Sequence, residues 1–200
     1  KKKPVDYLSR LRQLNDTETE VLMALGDYPK AEAILKQTIE QVKKDKIGGL
    51  SLESSLYNNL ANLYAVQKRN KEALPYYKMA LEIDEKLNPN STFPLASKGN
   101  LALCLAELKK YDESLLLYEE LTKKISLNYL REPENITIYN NLALLYSDMG
   151  RNQEAIELYK KILEEIKENR GKNEDYLLSL NNLGSIYVYA KDYDNAAECY

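Results

Sequence analysis

The side chains with the most chemical potential in this 200-residue chain are amides, carboxylates and phenols, because it contains no histidine. That absence removes the commonest general base and metal ligand. The carboxylate pairs Glu119-Glu120 and Glu164-Glu165 lie in helical stretches, where sequence neighbours point apart and read as solvated surface. Gly48-Gly49 lacks the Lys-Ser/Thr that a phosphate loop requires. The two cysteines, Cys104 and Cys199, lie 95 residues apart with no second thiol nearby. They read as lone thiols of a reducing compartment, not as a disulfide or a metal site. No catalytic, metal-binding or cofactor-binding set emerges, so the segment is expected not to be an enzyme.

Asparagine is the exception. Asn59, Asn100, Asn141 and Asn182 recur at one spacing, and Asn58, Asn140 and Asn181 precede three of them. An amide offers two donors and an acceptor, so a row of amides can hydrogen-bond an extended backbone without reading its sequence. Asn disfavours helix interiors, and its recurrence there needs a reason. Two readings stand open. The row contacts a partner, or it ties neighbouring helices together and holds water.

The elements that position these amides repeat with them. Tyr139–Tyr159 reads YNNLALLYSDMGRNQEAIELY, and shifts of 41 residues return the same kinds of residue. Ala61, Ala102, Ala143 and Gly184 form one small column, and Ala73, Ser114, Ala155 and Ala196 another. Leu60, Leu101, Leu142 and Leu183 are large, as are Tyr64, Leu105, Tyr146 and Tyr187. Tyr77, Tyr118, Tyr159 and Tyr200 complete the set, and they account for part of the 17 tyrosines. Small residues where two helices cross, with large ones beside them, predict close helix packing with tyrosine hydroxyls at the rim. A fixed period of this length marks a solenoid, in which each helical hairpin buries its apolar face only against its neighbours.

Each unit reads as helix, tight turn, helix and linker. Five are expected, at about 9–47, 51–88, 93–128, 134–170 and 174–200, the last truncated. Asn70 is expected to cap its helix, and Pro75 to bend that helix without breaking it. The linkers fall at Asn88–Pro94, Asn128–Glu134 and Arg170–Asn173. Net charge is −3 with both signs interspersed, which favours neither nucleic acid nor an anionic membrane. No apolar run approaches the roughly 20 residues of a membrane span. Val5–Leu14 is amphipathic and does not resemble a signal peptide. The chain does not start with Met and stops inside a unit, so it is expected to be a piece of a longer, cytoplasmic protein.

Leu142-Ala143, Tyr146, Ala155 and Tyr159 follow the order of the tetratricopeptide repeat, which the chain resembles from about Arg12 to Tyr200. Two features depart from that family. The period is 41 where about 34 is usual, and the glycine of the turn, present at Gly26 and Gly150, is Lys68, Lys109 and Lys191 elsewhere. Longer units resemble those of kinesin light chain and related peptide-binding adaptors, where similar asparagine ladders occur. The resemblance implies an all-α solenoid, one continuous superhelical array over 1–200, whose first helices line a concave groove. On that implication the partner-binding residues are Asn58, Asn59, Asn62, Asn100, Leu103, Asn140, Asn141, Leu144, Asn181, Asn182 and Ser185. Ala65, Ala106, Glu107, Ser147, Asp148, Val188 and Tyr189 complete that surface.

Members that clamp a C-terminal carboxylate do so with groove lysines, and Asn58, Gly99, Asn140 and Asn181 hold those places here. A chaperone-tail ligand is therefore not expected. The partner implied is another protein, engaged through a linear peptide or a helix, with no cofactor, nucleic acid or membrane. Two alternatives stand beside this one: a structural subunit of a large cytoskeletal or ciliary assembly, and a substrate-recruiting arm of a longer enzyme.

Overall fold

Apolar residues at three- and four-residue spacing, broken by short turns, give antiparallel helices throughout. The computed structural model describes residues 17–45, 49–87, 95–125 and 132–200. The amphipathic stretch Val5–Leu14 and the linker residues 88–94 and 126–131 lie outside these. The helices are α1 (17–24), α2 (Tyr28–Asp45), α3 (Gly49–Val66), α4 (Asn70–Leu87), α5 (Leu95–Glu107), α6 (Tyr111–Lys124), α7 (Pro133–Asp148), α8 (Asn152–Arg170), α9 (Glu174–Tyr189) and α10 (Tyr193–Cys199). No strand occurs among the described residues.

The chain divides into two units, Lys1–Leu108 and Lys109–Tyr200. In unit one, α2 packs on α3, α3 on α4, and α4 on α5. In unit two, α6 packs on α7, α7 on α8, α8 on α9, and α9 on α10, while α7 also touches α9. Each unit is thus a stretch of α-solenoid. The small columns lie in its seams, where Ala61, Ala102, Ala143, Ala73, Ser114 and Ala155 are all fully buried. At Gly184 an added Cβ would sit 3.0 Å from Tyr200 Cζ and 3.1 Å from Cys199 Cβ. Large side chains at these positions would separate helices that otherwise close to about 8–10 Å.

The turns explain the glycine departures. Gly26, Lys68, Lys109, Gly150 and Lys191 all adopt positive φ, between 59° and 77°. Lys68 N–H donates to Ala65 O at 2.9 Å and Arg69 N–H to Tyr64 O at 2.9 Å. Gly150 with Arg151, and Lys191 with Asp192, repeat that pair of bonds. This is the Schellman ending, which satisfies two carbonyls left open by the helix. The lysines therefore take the glycine's conformation and bear the Cβ cost of the left-handed region.

Two local expectations change. Arg69, not Asn70, precedes the first turn of α4: its carbonyl accepts from Glu72 and Ala73, and Asn70 is the buried first residue of the helix. Pro133, read as linker, begins α7 at a position where a missing donor costs nothing. α4 runs unbroken through Pro75.

Candidate functional site

The first helices of the hairpins carry the asparagine columns, so the site is built from α1, α3 and α5 in unit one and from α7 and α9 in unit two. In unit one these helices line a trough of about 410 Å³ bounded by Thr19, Glu20, Met23, Ser55, Asn58, Asn59, Asn62, Ala96, Ser97 and Asn100. A second hollow of about 450 Å³ continues from it, lined by Asn62, Ala65, Val66, Lys68, Asn70, Tyr77, Asn100, Leu103, Cys104 and Glu107. Asn62 and Asn100 belong to both. The structure thus brings Asn58, Asn59, Asn62, Asn100 and Leu103 to one face.

Most of these amides are already engaged. Asn58 Nδ2 donates to Ser97 Oγ at 2.9 Å, which ties α3 to α5. Ser97 in turn donates to Asp84, whose other oxygen accepts from Ser54, both at 2.5 Å. In unit two, Ser179 Oγ donates to the buried Asn140 Oδ1 at 3.1 Å, which ties α7 to α9. Both ties span 39 residues. They are the same bond, two periods apart, with donor and acceptor exchanged. Ile166 stands where Asp84 would recur, so no carboxylate claims the Ser179 proton.

The tyrosine column consumes more of them. Tyr77 donates to Asn62 Oδ1 at 2.6 Å, and Tyr200 pairs with Ser185 at 3.1 Å in the corresponding place. Leu103 and Leu144 occupy that position in the intervening units and can accept nothing. Tyr159 donates instead to the Asn140 carbonyl at 3.1 Å. Tyr118 Oη is buried with no hydrogen-bond partner. Asn141 lies close enough to favour the Tyr118 phenolate, as Asn182 does for Tyr159, but burial dominates and holds both phenols well above their ordinary range. The Asn141 contact is electrostatic and not a well-aligned bond. These hydroxyls were expected at the rim, yet Tyr118 and Tyr159 are fully enclosed.

What remains open to a partner is a smaller set. Asn100 makes no side-chain hydrogen bond to a described residue, Asn181 is exposed, and Leu103 and Leu144 expose about two-fifths of their surface, 43% and 39%. Val66, Val188 and Tyr189 are exposed on the same helices. Burial pushes the Cys104 thiol up to about 11. It donates to Asn70 O at 3.4 Å and is an inert wall of the second hollow.

A residue set that sequence reading missed braces the turns. Arg69 stacks on Tyr64 at 4.4 Å and clasps Glu72 through two bonds of 2.7 Å. Arg151, Tyr146 and Glu154 repeat this, with the ring again at 4.4 Å. In unit one Glu32 joins the cluster, accepting from Lys36 at 2.7 Å and from Tyr64 and Arg69 at 2.9 Å. The Lys36 bond, with help from Arg69 and Tyr64, holds its carboxyl down to about 2. The signal was available as Tyr, Arg and Glu at offsets of five and eight residues, twice, 82 residues apart.

Residues 52–123 and 134–200 match the tetratricopeptide repeat family's sequence profile, well over half of the chain. The chain belongs to the tetratricopeptide repeat family. A curated relative is tetratricopeptide repeat protein 23 of Rattus norvegicus, 31% identical over 90 residues. That match covers 45% of this chain and only 19% of the relative's length. Among solved structures, the tetratricopeptide array is similar to a Podosopora anserina protein described as a kinesin light chain with nearly identical TPR-like repeats. The TM-score is 0.81 at 21% identity, over 96% of this chain and 92% of that one. It is also similar to YrrB, described as a TPR protein with an unusual peptide-binding site, with a TM-score of 0.54 at 15% identity over 90% and 78% of the two chains. Tetratricopeptide repeats serve generally as protein-interaction scaffolds. None of the described helices is long and apolar enough to cross a membrane.

Proposed function

We propose that this chain is a non-catalytic scaffold that holds a linear segment of another protein, a peptide or a helix, against the face built by its first helices. The trough of unit one carries the reading: three first helices converge on it, and it keeps Asn100 uncommitted and Leu103 exposed. An uncommitted amide beside apolar surface is what an incoming backbone with side-chain anchors requires. The volumes of both hollows fall within the usual range of binding sites. YrrB's peptide-binding site and the kinesin light chain likeness support the same use of the fold. Unpaired Cys104 and Cys199 support a cytoplasmic setting.

A photo-crosslinking amino acid placed at Asn100 tests this, with one at Leu116 on α6 as control. Illumination in extract followed by mass spectrometry maps what is captured. The expected product joins position 100 to one short segment of a partner. Capture only through position 116, by a large folded surface, would overturn the groove in favour of lateral packing into an assembly.

A further inference from the structure

The two hollows of unit one are chemically unlike, and we infer that together they select a partner segment carrying a lysine or arginine beside an aliphatic anchor. This rests on the groove reading above and adds the chemistry of the occupant. The first hollow presents acceptors without donors. Glu20 is exposed in its wall, and no cation lines it. Asn58 Oδ1 is buried with no hydrogen-bond partner, because the Nδ2 of the same amide is spent on Ser97 and Ser54. Behind Ser97, the Asp84 carboxylate already takes both serine hydroxyls and adds negative charge to that wall. A guanidinium or ammonium, which only donates, complements such a set. A carboxylate or phosphate would meet like charge.

The second hollow asks for the opposite. Ala65, Val66, Leu103 and Cys104 supply its apolar lining. Its two charges, Lys68 and Glu107, stand 3.6 Å apart and offset each other. An aliphatic side chain loses water there without stranding a charge. Between the hollows, Asn62 Oδ1 is spent on Tyr77, while Asn100 offers donor and acceptor to a crossing backbone.

Selection of short random displayed peptides on the full chain, followed by fluorescence anisotropy, tests this. Enriched peptides are expected to pair Lys or Arg with a nearby Leu, Ile or Val. Replacing the basic residue by Glu should weaken binding about tenfold, and replacing the aliphatic one by Ser should also weaken it. Glu20→Gln should weaken the basic peptide about fivefold, less at high ionic strength, and leave its uncharged variant unchanged. Leu103→Ser should weaken both, and Leu116→Ser neither. Circular dichroism confirms that each variant is folded. Enrichment of acidic peptides, or an unchanged affinity in Glu20→Gln, overturns the inference. If Leu103→Ser still weakens binding in that case, the groove reading survives. If no peptide is enriched, both fall.

Discussion

Asn140→Ala and Asn100→Ala should have opposite consequences, although both remove an amide from the same kind of helix. Asn140 accepts from Ser179 across α7 and α9, and both side chains are buried. Its truncation strands the Ser179 hydroxyl, at a cost of about 1–3 kcal/mol. Alanine returns about 0.5 kcal/mol of helix propensity, so the net loss is roughly 1–2 kcal/mol. A protein of this size changes Tm by about 2–4 °C per kcal/mol, so the midpoint should fall by roughly 3–6 °C. Ser179→Ala should cost less once Asn140 is already alanine, with a coupling of about 1 kcal/mol. Asn100→Ala breaks no internal bond and gains the same propensity, so its midpoint should hold or rise slightly. Thermal melts followed by circular dichroism give the stabilities, and peptide anisotropy gives the affinities. Asn100→Ala must lose affinity without losing stability. Equal destabilisation by both variants, or a silent Asn140→Ala, would refute the division into structural and available amides.

Lys68→Gly should stabilise the protein by about 0.5–1 kcal/mol in urea titration, because it removes a Cβ from a left-handed residue; Lys68→Ala, which keeps the Cβ, should not. Tyr118→Phe removes an unpartnered hydroxyl and should be neutral or stabilising. Tyr159→Phe loses the bond to Asn140 O and should cost about 1 kcal/mol by the same titration. The Glu32 carboxyl is held down to about 2 from an ordinary 4.5. Its contribution is therefore complete above pH 4.5 and disappears as pH falls from there through 2. Solvent screening leaves roughly 1 kcal/mol of it, so acid titration of Glu32→Gln should show a correspondingly shallower loss of stability in that window.

The columns of small and large residues were legible because a helix crossing tolerates only one size at its closest point. Ala61, Ala102 and Ala143 declare that constraint whatever their neighbours are, and Gly184 marks where even a methyl is crowded. The turn positions were legible as places, but not as conformations. Lys68, Lys109 and Lys191 looked like departures from a glycine rule, and only the backbone shows that they obey it. The asparagine columns were legible as a pattern whose purpose stayed open. Whether an amide faces a serine, a tyrosine or solvent depends on the residue opposite, which lies 39 residues away for Asn58 and Asn140.

By itself, then, the sequence determined that helices form, where they turn and that they stack, since periodic burial is a local property written into each unit. The tertiary structure alone decided which amides are spent. A hydrogen bond is a relation between two atoms, and Asn58, Asn62 and Asn140 acquire their partners only when α4, α5 and α9 are laid against the helices that carry them. Asn100 keeps its amide free because no side chain arrives to claim it.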